Sequence, residues 1–214
     1  PGLELGVWAA EPQLQNGVAF SFDHAGRCYI AETHRYGISV FDITVRTNWL
    51  LNDLAFRHVG DRHAFLTNAF AATPDLLVTH SEILRLVEDR DGDHKADASA
   101  VFADGFQTPV DGTAAGVLAT RDHVWFGNIP RLWRMPRPPA TWEPGRPPGK
   151  ESVAAGFGVH IGVTGHDLHG LIQGPDGRIY MSFGDRGAVI TNREGIVINL
   201  PDTGGVLRCE PDGR

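Results

Sequence analysis

The chain has 214 residues, enough for one domain with a sizeable core, and its 42% hydrophobic and 21% charged content is ordinary for a globular protein. A net charge of −7 with no basic run argues against a nucleic-acid partner, and no apolar run approaches the roughly 18 residues that cross a bilayer. Cys28 and Cys209 make no CxxC, CxxCH or zinc spacing, so a c-type haem attachment within this segment is excluded and the thiols do not report on compartment.

With 26 Gly and 14 Pro, the composition favours many strands and many turns. Residues 17–32, GVAFSFDHAGRCYIAE, alternate apolar and polar positions on both sides of a turn at 23–27 and predict a β-hairpin. Between Thr44 and Ala72, Trp49, Leu50, Leu54 and Phe65 fall at roughly helical spacing, predicting one or two short helices. Residues 81–87, SEILRLV, predict a strand that runs into the acidic turn EDRDGDHKAD.

In that turn Asp89, Asp91, Asp93 and Asp97 stand at the 1, 3, 5, 9 spacing of a calcium loop, where alternate side chains of a turning backbone converge on one cation. His94 occupies the position that usually holds Gly, and Ala100 the position of the bidentate Glu. Two readings stand: a weak structural calcium site or a solvated acidic turn.

A further hairpin is predicted at 116–128 around a turn at 120–123, followed by an outer strand at 132–135. Residues 136–149 hold six prolines and predict a surface loop. Asn128 and Arg131, at a strand end, are candidates to face a ligand, against the plainer reading of connecting turns. Trp125, Trp133 and Trp142 read as packing residues.

The densest stretch is Gly156 to Gly187, with three of the ten histidines and nine of the 26 glycines. His160, His166 and His169 can exchange a proton or bind a metal near neutral pH. Residues 171–183 read as two strands joined by the turn Pro175–Gly177. His166 needs an orienting partner to act as a general base, and Asp167 and Asp185 are the candidates. The other reading makes the three histidines ligands of a transition metal.

A turn with Asp or Gly followed by an aromatic strand recurs at 23–30, 122–126 and 176–183, and strands ending in Leu-Arg or Leu-Trp-Arg recur at 84–85, 132–134 and 207–208. A β-propeller fits these repeats best: an all-β fold of about three to four blades from an expected six-bladed ring, with a short helical insert. Because such a ring must close, residues 1–214 are expected to be a single domain that forms the N-terminal part of a propeller in a longer chain. A β-sandwich with a helical insert is the second architecture.

From His166 onward the chain resembles the soluble quinoprotein glucose and sorbosone dehydrogenases. The resemblance is carried by His166, Leu171, Gly174-Pro175-Asp176-Gly177, Tyr180 and Gly184-Asp185-Arg186-Gly187, then by Gly205-Val206-Leu207-Arg208 with Asp212-Gly213. Over nearly the whole length, EPQLQNGVAFSFDHAGRCYIAE, LRLVEDRDGDHKADASAVFADGF and FGVHIGVTGHDLHGLIQGPDGRIY are similar to a membrane-bound dehydrogenase domain family of Planctomycetes and Verrucomicrobia.

These resemblances imply an oxidoreductase in which His166 removes the proton of a sugar or alcohol hydroxyl, with Asp185 beside it, while hydride passes to pyrroloquinoline quinone. His169, Arg186 and Asn128 are the candidate cofactor contacts within this segment, and calcium would polarise the quinone. His169-Gly170 stands where the quinoprotein family has Gly-Arg, so His169 competes for the role of base. A cytochrome electron acceptor, haem on a separate domain, and a periplasmic or cell-surface, membrane-associated location are implied as well. The alternative is a non-catalytic propeller that binds a carbohydrate or protein partner beside a cytochrome.

Overall fold

The computed structural model describes residues 2–192 and 194–214. Four strands in chain order, β1 (Gly17–Phe22), β2 (Cys28–Glu32), β3 (Glu82–Glu88) and β4 (Ala98–Phe106), pair antiparallel as one meander. The turn between β1 and β2 follows from its residues: the Asp23 carboxylate accepts from the backbone N–H of Ala25 and Arg27, and Gly26 takes φ +79°.

A second meander repeats the pattern with β5 (Ala114–Ala119), β6 (His123–Asn128), β7 (Arg131–Pro136) and β8 (Glu151–Ala155). The third sheet has β9 (Leu168–Gln173), β10 (Ile179–Phe183) and β13 (Gly205–Cys209), and the hairpin β11 (Ala188–Thr191) and β12 (Val197–Leu200) branches from it between β10 and β13. β1 lies against β5, and β5 against β9, so the first strands of the three sheets adjoin one another. The result is mostly β, in four sheets: the two four-stranded meanders, the three-stranded sheet and the two-stranded β11–β12 hairpin. That departs from the two facing sheets of the sandwich alternative.

The second sheet is buried on both faces, which follows from the two-residue period of a strand. Val124 and Phe126 of β6 pack with Tyr29, Leu84, Phe102 and Phe106 of the first sheet. Trp125, pointing the other way, packs with Leu168, Leu171, Ile179, Met181 and Phe183 of the third. On the outer faces Phe20 and Val206 remain largely exposed.

The predicted helical insert lies between β2 and β3 as α1 (Leu50–Asp53) and α2 (Val59–Ala69), with 3-10 turns around them. Its Phe41, Phe56, Leu66 and Leu77 form a third cluster with Val159 and Ile161. The insert therefore props the histidine-bearing loop from behind. Among the described residues no helix is long and apolar enough to cross a membrane.

β4, β8, β11 and β12 have no counterpart in the sequence expectations. β4, although nine residues long, and the five-residue β8 are outer strands whose exposed residues interrupt any regular apolar alternation, so neither carries a clear two-residue period.

Candidate functional site

The β9–β10 hairpin builds the site. Its antiparallel register sets Leu168 opposite Phe183 and His169 opposite Ser182. Continued outward by two residues, the same register brings His166, just before β9, to Asp185, just after β10. His166 Nδ1 lies 2.6 Å from Asp185 Oδ1. The carboxylate can only accept, so Nδ1 carries the proton, and in the neutral ring Nε2 keeps its lone pair for another group. Both side chains are open to solvent, 48% and 64% exposed.

Beneath them is a second pair built from their immediate neighbours. Asp167 and Arg186 are 1% and 2% exposed and form an ion pair through Asp167 Oδ1 and Arg186 Nη1. Thr113, on the loop before β5, donates its hydroxyl to Asp167 Oδ2. Arg186 Nε also donates to the carbonyl of His160, at 3.1 Å. Close by, burial and then the like charge of Arg186 push Arg62 of α2 down to about 9.

The three histidines do not converge. His160 is buried, with Nδ1 2.7 Å from the Asp53 carbonyl and Nε2 3.1 Å from Asp202 Oδ1. His169 Nε2 lies 2.5 Å from the Gly165 carbonyl, while its Nδ1 faces Ala115. The reading of His160, His166 and His169 as one metal site is therefore corrected: each ring is engaged by different protein groups. Among the described residues, the group whose ligand atoms do gather, all within 4.8 Å of one another, is Asp89, Asp91 and Asp97. Asp93 stands outside it and caps the turn, its Oδ1 accepting from Lys95 N at 2.8 Å.

His169 lines a cleft of about 270 Å³ with Tyr36, Thr33, Thr113 and Thr164, where the starts of the first strands meet. Two other sequence candidates face the interior. Asn128 is fully buried and donates to the Gly112 carbonyl at 2.8 Å, and Arg186 is turned to Asp167 as described. Burial pushes the Cys28 and Cys209 thiols up to about 12 and about 11, so neither is a thiolate nucleophile near neutral pH.

Sequence reasoning missed Asp53, Thr113 and Glu82. Asp53 accepts from the backbone N–H of Ile161 at 2.6 Å and Gly162 at 3.2 Å, holding the loop that leads to His166. The buried Glu82 carboxylate accepts from Ala114 N at 2.7 Å and Arg35 N at 2.8 Å, and its burial pushes its pKa up. Each is a lone polar residue far in sequence from its partners, and no local spacing marks it.

The model of a family described as "Domain of unknown function (DUF7133)" matches residues 1–214. The chain belongs to this family. Among solved structures, this DUF7133 chain is similar to the "putative oxidoreductase (glucose dehydrogenase)" of Thermus thermophilus, at 14% identity and a TM-score of 0.42. The match covers 88% of the DUF7133 chain and 43% of the other, so the chain spans less than half the length of that protein. No curated protein matches it.

Proposed function

We propose that the DUF7133 chain contributes the proton-accepting pair of a dehydrogenase acting on a sugar or alcohol hydroxyl, with His166 as base and Asp185 as its orienting partner. The observation that carries this reading is the 2.6 Å contact between His166 Nδ1 and Asp185 Oδ1, which leaves Nε2 of the neutral ring as an acceptor. The two meanders and the three-stranded sheet are read as successive blades of a β-propeller, their first strands being the inner ones.

Pyrroloquinoline quinone carries three carboxylates, and a site for it needs cations or several aimed donors. Among the described residues, the cleft beside His169 is lined by threonines, Tyr36, small residues and Val18, with no Arg or Lys. Arg186 is committed to Asp167, and Asn128 to Gly112. These residues do not fit the quinone, and no step is routed through it.

The same lining favours a second reading, a binding module for a neutral hydroxylated ligand, since Thr hydroxyls both donate and accept and Tyr36 offers a ring face. Dye reduction separates the two. The protein is assayed with aldoses and alcohols as wild type, His166→Ala and His169→Ala, with the dye as the two-electron acceptor and with or without added pyrroloquinoline quinone. Activity lost in His166→Ala and kept in His169→Ala is the expected outcome, and equal activity in His166→Ala overturns the assignment. Ligand binding without turnover in any form supports the binding module.

A further inference from the structure

We propose that the buried Asp167–Arg186 ion pair is the positioning element of the His166–Asp185 pair, setting its geometry from below. The proposal rests on the reading of His166–Asp185 as a working pair. It assigns Arg186 to the protein interior, as a brace for the site.

The argument begins with what an exposed ion pair can do alone. His166 and Asp185 are both about half or more in water, where such a contact is weak and screened by salt. It cannot hold two loop residues in one geometry by its own strength. Something beneath must. The next residue of each loop is buried and charged, and these two neighbours pair with each other: Asp167 follows His166, and Arg186 follows Asp185. One ion pair therefore ties together the two backbones that carry the outer pair.

Three further contacts make that tie directional. The Gly184 N–H donates to the Asp167 carbonyl at 3.2 Å, continuing the ladder of the β9–β10 hairpin past its end. A side chain at Gly184 would come within 2.6 Å of His166 Cβ, so the loops approach as closely as glycine permits. Thr113 holds the other oxygen of Asp167, and Arg186 Nε holds the His160 carbonyl, so the brace is anchored to the second sheet and to the loop seated on the helical insert. With both carboxylate oxygens engaged, Asp167 has one orientation, and the backbone leading into His166 has one as well.

The test reads the ring of His166 directly, independently of turnover. Long-range ¹H–¹⁵N spectra of ¹⁵N-histidine-labelled protein, with the His166 signals identified by their loss in His166→Ala, report which ring nitrogen bears the proton in the neutral form. Wild type is expected to show the Nδ1–H tautomer, and Asp185→Asn to lose that preference. The double variant Asp167→Leu/Arg186→Met removes both buried charges together, leaving neither one unpaired. It is expected to lose the tautomer preference as Asp185→Asn does, with its circular dichroism spectrum kept. Its kcat/KM in the dye assay should fall on the order of a hundredfold, through kcat, as for a displaced reacting group.

If the double variant fails to fold, Asp167→Asn, which keeps shape and hydrogen bonding to Thr113, is expected to show a partial loss of the same signature. A folded double variant, or in its place a folded Asp167→Asn, with the wild-type tautomer overturns the proposal while leaving the outer pair standing. No tautomer preference in wild type overturns the outer pair, and the proposal with it.

Discussion

His166 and Asp185, 19 positions apart, meet at 2.6 Å because the register of the β9–β10 hairpin continues two residues beyond its strands. The contact selects the tautomer with the proton on Nδ1 and leaves Nε2 as the acceptor. Replacing the carboxylate by an amide keeps the shape and removes that selection. Asp185→Asn is expected to lower kcat/KM by about 10²–10⁴, the usual range for general-base catalysis, with little change in KM. Steady-state dye reduction measures it, and an unchanged kcat denies Asp185 the role.

The acidic loop makes a separate prediction. Asp89, Asp91 and Asp97 bring oxygen atoms together, and Asp93 stands outside the group, although all four accept backbone N–H groups of the turn. If the loop takes calcium, the thermal midpoint should rise with calcium concentration, by about 2.7 kcal/mol of stabilisation at a hundredfold excess over Kd. Asp89→Ala and Asp97→Ala should abolish the rise, and Asp93→Ala should weaken it least. A midpoint insensitive to calcium in wild type identifies the loop as a solvated turn.

Asp53 connects the helical insert to the site. Its carboxylate receives the N–H groups of Ile161 and Gly162, and its carbonyl faces His160 Nδ1. Asp53→Ala leaves two donors of the loop without their charged acceptor and should cost about 1.5–3 kcal/mol in urea unfolding. Hydrogen exchange should quicken first at residues 159–162 and across α1 and α2. Uniform loss of protection would instead mean that the insert and the sheets unfold as one unit.

Acid sensitivity should centre on Asp23. Burial alone would raise its carboxyl, but the Arg27 side chain and the backbone N–H groups of Arg27 and Ala25 outweigh it and hold the value below the ordinary 3.8. A carboxyl lowered by folding contributes stability that is fully present above its unfolded value and is lost as pH falls through the folded one. Asp23→Asn should therefore be less stable than wild type near pH 7, by about 1.5–3 kcal/mol for the lost charged hydrogen bonds, and the part of the gap that comes from the lowered carboxyl should disappear as pH falls below 3.8. A gap constant with pH would trace the loss to packing.

Much of the fold could be read along the chain. The hairpin at 17–32, the strand after Ser81, the hairpin at 116–128 and the proline-rich loop all carry local signals: two-residue alternation, Asp-Gly turns, prolines. The match between expectation and structure is close there because each signal acts within a few residues. β4 and β8 were illegible for the opposite reason, since their strand character comes from the neighbour they pair with.

The candidate site divides in the same way. The sequence alone determined that histidines, glycines and an Asp-containing turn crowd into residues 156–187, and that a hairpin lies among them. Which histidine meets which carboxylate was decided only by the tertiary structure. His160 turns to Asp53 and Asp202, His169 to Gly165, and His166 to Asp185. Arg186, adjacent to Asp185, turns inward to Asp167. The reason is physical: residue type sets what a side chain can bind, but burial and strand register set what it reaches. For a buried charge such as Arg186, the partner that offsets its lost hydration must lie close in space, wherever it stands in the chain.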